Sequence, residues 1–336
     1  MMIDGPSSTQ ESIKIRVIHS VVDNEHLIDI LRKYYNFSSE AYCELIHRGM
    51  NDVYKVCDRS FIGACRVWRT GWRMPDDVAY ELSFLMHLKR KELPVSVPIV
   101  QKNGDMSLVV EAPEGARSVA LFEWAKGRKF GDAPNRRQAR EVGTLFAKMH
   151  LAGKDFTPAY RRRANPPTDY VENLPYLRRL VSDRPGDAKL YEAVAAKLCA
   201  AVVALKGTGL PFGPGHGDFH FNNFHVDVAD GITLLDFDNS GEDYYVQDIA
   251  CYLWGNHYGN LDHAYADQFL EGYNEIRQLN EIENELLPLF LLAKEFRLIS
   301  GFAKHVNQIG HFPLRFRNLE WFAHSIAERA KSLGYI

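Results

Sequence analysis

No stretch of about eighteen apolar residues occurs in this 336-residue chain, so the sequence contains no helical membrane span. Cysteine is scarce: Cys43, Cys57, Cys65, Cys199 and Cys251 form an odd set of five without a CxxC spacing. Such a set argues for a reduced, cytoplasmic setting rather than a disulfide framework. A large excess of charge is missing too. The net charge of −3 leaves no basic field to attract nucleic acid or an anionic membrane. The opening MMIDGPSSTQESIK has neither the basic region nor the apolar core of an export signal, and residues 1–20 read as a flexible tail. Repeats and low-complexity segments are lacking as well. What is present is an ordinary globular composition on a chain long enough for two lobes, since single cores rarely grow beyond about 250–300 residues.

The chemistry concentrates between Pro214 and Asp248, in PGHGDFHFNNFHVDVADGITLLDFDNSGEDYYVQD. His216, Asp218, Asn223, Asp236 and Asp238 surround two β-prone runs, Phe224–Val226 and Ile232–Leu235, which predict a hairpin turning near residues 229–231. Counting outward from that turn, Asn223 and Asp236 stand opposite each other at the open end, where one cation can bridge them. An amide with one carboxylate suits magnesium, whose remaining ligands are waters and phosphate oxygens. Asp218 precedes Asn223 by five positions and is free to act as a base beside the metal. Phosphoryl transfer needs both parts: a carboxylate that orients and deprotonates a hydroxyl, and ligands for the metal that neutralises the phosphates. His220 and His225 are read as residues that hold backbone, not as ligands.

His216-Gly217-Asp218 followed by Asn223, then Asp236-Phe237-Asp238, resembles the paired motif of the aminoglycoside phosphotransferase and choline kinase superfamily. The resemblance implies a bilobal, protein-kinase-like α+β fold with an antiparallel-sheet N-lobe, a mostly helical C-lobe and ATP between them. It also implies that Asp218 is catalytic and that Asn223 and Asp236 bind magnesium. Val246-Gln247-Asp248 is similar to the bacterial stress-response kinase branch, in which an aspartate on the following helix braces the catalytic loop.

Upstream, Val22–Tyr35 has helical spacing with Asp23 as its N-cap. Strands Tyr42–Ile46 and Val53–Val56 flank Gly49-Met50-Asn51-Asp52-Val53-Tyr54, which is similar to the family's loop over the ATP phosphates, with Gly49 and Asn51 at its centre. Strand Phe61–Trp68 places Arg66 where kinase-like folds carry a phosphate-gripping lysine, a departure that keeps the charge. Helix Pro75–Arg90 supplies Glu81 as the implied partner of Arg66. Each has a plainer reading beside this one: Gly49 as a hairpin turn, Arg66 as a solvated strand residue, Glu81 as a solvated helix charge. Val95–Val100 enters the sheet region, Ser107–Glu111 and Ser118–Trp124 complete the five-stranded N-lobe, residues 21–124, and backbone groups of Glu123 to Ala125 are expected to hold the adenine edge. Residues 125–336 form the expected C-lobe, with helices over Arg136–Leu151, Tyr191–Leu205, Tyr244–Trp254, Ala264–Tyr273, Glu281–Ile299 and Leu319–Leu333. Arg161-Arg162-Arg163 reads as a solvated loop, or alternatively as an anion-binding patch.

The expected acceptor is a hydroxyl of a small molecule: an aminoglycoside, an amino alcohol or a sugar-like compound. Asp243, Asp262, Asp267 and Glu295 are candidates to receive a cationic amine, and Trp254, His257, Tyr258, Trp321 and Phe322 to stack on an apolar or quaternary group. Two alternatives stay open at this stage, a protein serine/threonine kinase of the stress-response type and a non-catalytic nucleotide-binding module.

Overall fold

A computed structural model describes residues 14–336 except 230, 312, 313 and 315. Most of the expected tail, residues 1–13, and Asp230 of the expected turn lie outside the described residues. The end of that tail is docked rather than loose: Ser20 bonds the Glu114 carboxylate through its N–H at 3.0 Å and its hydroxyl at 2.8 Å.

Asp23 caps the first helix, α1 (Asn24–Tyr34), by accepting the His26 N–H. Leu27, Ile28 and Leu31 fall on one face of α1 and pack against Tyr54, Val56, Cys65 and Val67 of a sheet. That sheet has five antiparallel strands, β1 (Tyr42–Arg48), β2 (Asn51–Asp58), β3 (Phe61–Trp68), β4 (Leu108–Ala112) and β5 (Gly115–Glu123), in the order β1-β2-β3-β5-β4. Alternation along β3 sends Cys65 and Val67 toward α1 and puts Arg66 and Trp68 on the other face. On that other side lies α2 (Pro75–Arg90), started by proline and burying Val78, Leu82, Leu85 and Leu88.

The segment Val95–Val100, expected to enter the sheet region, joins it only through isolated contacts. Pro94 and Pro98 lack N–H donors and cannot continue a ladder, so the segment makes isolated bridges, Val95 with Leu234 and Pro98 with Phe122. The Val95 bridge ties the first lobe to a hairpin of the second. There β8 (Phe224–Asp227) pairs with β9 (Gly231–Leu234), flanked by β6 (Arg128–Lys129), while β7 (Phe212–Gly215) pairs with β10 (Gly241–Tyr244).

The rest of the second lobe is helical: α3 (Arg136–Gly153), α4 (Asp169–Glu172), α5 (Leu174–Leu180), α6 (Pro185–Ala204), α7 (Tyr245–Tyr258), α8 (His263–Ile276), α9 (Glu281–Ile309) and α10 (Leu319–Ser332). This is the bilobal α+β architecture that the sequence led us to expect. The largest boundary difference is in α9, which passes through Ser300-Gly301 instead of stopping at Ile299 and ends at Gly310 with φ +69°. No helix among the described residues is long and apolar enough to cross a membrane, and all five cysteines are free.

Helices α3 and α8 cross on glycine. A Cβ at Gly143 would lie 2.0 Å from the Phe269 carbonyl oxygen, and one at Gly272 would lie 2.0 Å from that of Arg140, so only hydrogen fits at either position. Gly272→Ala should therefore cost about 1–3 kcal/mol through overpacking. Gly186→Ala, in helical backbone with open space around it, should be neutral or stabilising. Denaturant unfolding of the two variants measures the difference, and equal midpoints would refute the close crossing.

Candidate active site

The loop after β7 is held from below by one carboxylate. Asp248, in the first turn of α7, accepts the His216 N–H and the Gly217 N–H, both at 2.7 Å, and contacts His150 Nε2 at 3.2 Å. Gly217 takes φ +80°, and a Cβ there would sit 2.1 Å from the Asn239 carbonyl oxygen, so glycine is required on both counts. The His216 ring, fully buried, bonds the Leu235 carbonyl at 2.7 Å and rests against Phe237. These restraints present Asp218 at the floor of a cleft between the lobes.

The hairpin brings the other predicted residues to the same place. Its ladder pairs Phe224 with Leu234, and one step outward the Leu235 N–H bonds the Asn223 carbonyl at 2.9 Å. Asn223 Nδ2 donates to the Asp218 carbonyl at 2.8 Å, which leaves the Oδ1 end of the amide for another partner. Asp236 adopts a left-handed conformation, φ 60° and ψ 54°, unusual for a residue with a side chain and characteristic of strained functional positions. Its carboxylate is half exposed and lies 3.4 Å from Arg66 Nη2. No cluster of three or more His, Cys, Asp or Glu suited to a metal occurs among the described residues. A magnesium site needs none, because one carboxylate and one amide oxygen suffice when phosphates complete the shell.

Asp238 stands apart from this pair. Its carboxylate accepts Trp68 Nε1 at 3.0 Å, Trp72 Nε1 at 2.6 Å and Asn51 Nδ2 at 3.1 Å, and pairs with Arg73 Nε at 3.2 Å. Burial alone would raise its carboxyl, but Arg73 and Arg66 together with those donors hold it below the usual carboxylate range. With its lone pairs occupied it is a clamp between the lobes, not a metal ligand.

The first-lobe residues are arranged around the same opening. Arg66 Nη1 bonds Glu81 Oε1 at 2.6 Å, and the guanidinium lies over the rings of Phe122, 4.9 Å away, and Trp68, 5.3 Å away. Burial pushes the Glu81 carboxyl up to about 7 against the pull of Arg66. The Gly49 N–H donates to the Asn51 carbonyl at 3.1 Å, and the Gly49 carbonyl accepts Arg69 Nη2 at 2.7 Å. The Asn51 side chain is taken by Asp238, as above. At the hinge, the Glu123 N–H bonds the Val97 carbonyl, the Glu123 carbonyl accepts the Ser96 hydroxyl at 2.7 Å, and the Ala125 carbonyl meets His225 Nδ1 at 3.1 Å. His220 Nδ1 accepts the Asn222 N–H. Both loop histidines thus hold backbone.

Sequence reasoning missed the residue that touches Asp218 most closely. Lys294, buried on α9, donates to Asp218 Oδ1. Burial would raise the Asp218 carboxyl, but Lys294 and His220 hold it below the usual carboxylate range. Burial would lower the Lys294 ammonium, and Asp218 keeps it above the usual lysine value. Lys294, Arg297 and Lys304 recur on one face of α9, a period legible in the sequence.

The cleft beyond Asp218 encloses about 410 Å³. None of the four acids expected to receive an amine lines it. Asp243 is buried against Asn165 at 2.7 Å, Asp262 caps α8 and pairs with Arg136, Asp267 is exposed, and Glu295 is buried with Arg329 at 2.9 Å. Each is used up by local structure or faces away. Of the aromatics, Tyr258 and Phe322 reach the cleft. The Arg161-Arg162-Arg163 run is not simply solvated: Arg162 is buried and donates to the Asp238 carbonyl at 2.9 Å, and Arg163 lies over the Phe212 ring.

Residues 46–282 match the family model described as phosphotransferase enzyme family. An uncharacterised protein of Deinococcus radiodurans is 31% identical over 298 residues, 87% of this chain and 86% of that protein. The amicoumacin kinase of Bacillus subtilis is 24% identical over 298 residues, 84% of this chain and 86% of its own. A homoserine kinase of Bradyrhizobium is 31% identical over 234 residues, 67% of either chain. The solved structure of amicoumacin kinase hAmiN with AMP-PNP, Ca2+ and Ami shares the fold, with a TM-score of 0.74 at 20% identity over 92% of each chain.

The brace under the catalytic loop is directly testable. Asp248→Ala leaves two backbone N–H groups and His150 without their acceptor in a buried site, and should cost about 3–5 kcal/mol in denaturant unfolding. A loss below about 1 kcal/mol, the size of an ordinary surface change, would show that the loop is held by something else.

Proposed function

We propose that this chain, which belongs to the phosphotransferase enzyme family, moves the γ-phosphate of ATP to a hydroxyl group of a small molecule in the presence of magnesium. The observation that carries this reading is that Asn223 bonds the carbonyl of the lysine-paired Asp218 and, through its own carbonyl, the Leu235 N–H, which brings Asp236 next to the residue at the cleft floor. Asn223 and Asp236 would hold the magnesium, which when bound neutralises charge on the phosphate oxygens. Arg66, fixed by Glu81, presents its second nitrogen toward Asp236 and is the cation for the nucleotide phosphates.

Lys294 occupies Asp218 Oδ1, which leaves Oδ2 to orient the acceptor and take its proton. In the transfer, the acceptor oxygen bonds the γ-phosphorus. The bond from that phosphorus to the β,γ-bridging oxygen breaks, and its electron pair leaves with ADP. The hydroxyl proton passes to Asp218. Backbone groups of Glu123 and Ala125 border the adenine position in this reading, and Gly49 with Asn51 lies above the phosphates. Because Gly49 N–H and Asn51 Nδ2 are both bonded internally, the loop must reorganise to offer donors to phosphate.

Substrate turnover is read by ADP release on a panel of hydroxyl compounds. L-homoserine and amicoumacin represent the acceptors of the named relatives, with γ-hydroxybutyrate, aminopropanol and an aminoglycoside beside them. On whichever is turned over, Asp218→Asn should lose about 10²–10⁴ in rate with ATP affinity retained. A variant keeping more than about a third of wild-type turnover would remove Asp218 from the chemistry.

Lys294 should reveal itself in the pH profile. Together with His220 it holds the Asp218 carboxyl low against burial, so Lys294→Met removes the larger opposing charge and its hydrogen bond and raises that carboxyl. The acid limb of kcat/KM should then move to higher pH, with Lys294→Arg restoring part of the shift. An acid limb that stays in place would show that Asp218 is not the group titrating there.

A further inference from the structure

The wall of the acceptor cleft carries Arg73, Arg162, Lys294, Arg297 and Lys304 against only two acids, Asp169 and Asp218. Such a wall repels the cationic amines that the sequence led us to expect. Three of the five cations are already committed. Lys294 pairs with Asp218, while Arg73 and Arg162 bond the Asp238 carbonyl, at 2.8 and 2.9 Å, on the edge facing the first lobe.

Arg297 and Lys304 differ, since neither has a carboxylate within ion-pair distance among the described residues. Arg297 Nη2 donates to the Tyr170 hydroxyl at 2.7 Å, but its Nε is buried with no hydrogen-bond partner among the described residues. Leaving a guanidinium donor buried and unsatisfied is costly unless something arrives to accept from it. Seven residues apart on α9, the two cations stand about 10 Å from each other along the helix axis, with Gly301 between them. No atom lies within 4 Å of where a Gly301 Cβ would be, so the helix surface between the cations is open. Asp169, across the cleft on α4, is half-buried and does not reach either cation closely enough to pair. Burial raises its carboxyl, while Arg297 and Lys304 pull it down.

We propose that the acceptor is a hydroxyl compound bearing a carboxylate, held by Arg297 and Lys304 over Gly301 while its hydroxyl faces Asp218. With Nη2 held by the Tyr170 hydroxyl at 2.7 Å and Gln247 Oε1 at 3.4 Å, Arg297 offers its charge and its remaining N–H donors to a carboxylate, and Lys304 adds a second charge at the open end. This inference rests on the kinase reading of the same site and narrows its acceptor class.

Three acceptors with closely related skeletons test it: L-homoserine, γ-hydroxybutyrate, which lacks the amine, and aminopropanol, which lacks the carboxylate. With ATP and magnesium, the two carboxylates should exceed aminopropanol in kcat/KM by about tenfold or more, the size of one hydrogen bond to a charged group. Arg297→Gln and Lys304→Gln should each raise KM for the carboxylates by about tenfold while KM for ATP stays within about twofold. Lys304 is exposed, so its variant keeps the test valid if Arg297→Gln folds poorly. Equal or better use of aminopropanol overturns the proposal, as does a rise in KM for ATP matching that for the acceptor, which would assign the stripe to the nucleotide. Should none of the three turn over, γ-hydroxybutyrate is titrated calorimetrically into protein saturated with AMP-PNP and magnesium. Binding that Lys304→Gln weakens supports the proposal, and no binding at millimolar concentration overturns it. Failure of AMP-PNP itself to bind would instead bring down the kinase reading.

Discussion

The two lobes meet on one buried carboxylate. Asp238 belongs to the second lobe, yet the side-chain donors to its oxygens, Asn51, Trp68, Trp72 and Arg73, come from the first. A charge taken this far from water survives only when its lone pairs are filled by well-placed donors, and here they are. The consequence spreads along the chain in both directions. Two residues upstream, the turn forces Asp236 into the left-handed region and leaves its carboxylate at the mouth of the cleft beside Arg66. One residue downstream, the Asn239 carbonyl packs where any side chain at position 217 would have to be. The clamp thus sets the distance between the lobes and the positions of both aspartates that face the cleft.

A second carboxylate does for the catalytic loop what Asp238 does for the lobes. Asp248 fills the N–H groups of His216 and Gly217, so the loop is fixed through its backbone and Asp218 is left free for Lys294. Lys294 in turn comes from α9, an element remote in sequence whose other cleft-facing cations find no carboxylate. Charge is therefore uneven across the site: Asp236 and Asn223 sit by the hairpin with Arg66, and Arg297 and Lys304 stand together on α9.

Much of this was legible in the residues alone. The period-two and period-3.6 patterns located the strands β1 to β5 and nearly all the long helices, because those elements bury one face and the burial is written into residue type. The HGD-to-DFD segment located Asp218, Asn223 and Asp236 because a two-residue-period hairpin converts spacing directly into facing positions. The expected end of α9 at Ile299 was too early: in an otherwise continuous helix, a glycine such as Gly301 costs about 1 kcal/mol and need not end it.

The sequence by itself determined the regular elements and the loop chemistry, which depend on near neighbours or on a regular repeat, and its family resemblance implied the fold class and the Arg66–Glu81 pair that the structure shows. Only the tertiary structure decided which acids are free to act. Asp236 and Asp238 are identical in type and two positions apart, yet one is half exposed and the other saturated, because Arg66 alone approaches the first while donors from several distant strands and loops fill the second. Likewise Asp243 and Glu295 look available in the sequence and are consumed by Asn165 and Arg329, while Arg297 and Lys304 look ordinary and have no carboxylate within ion-pair distance among the described residues. Pairing between charges depends on which side chains a fold brings within a few ångströms, and such distances between remote elements are set by packing, which one-dimensional spacing does not encode.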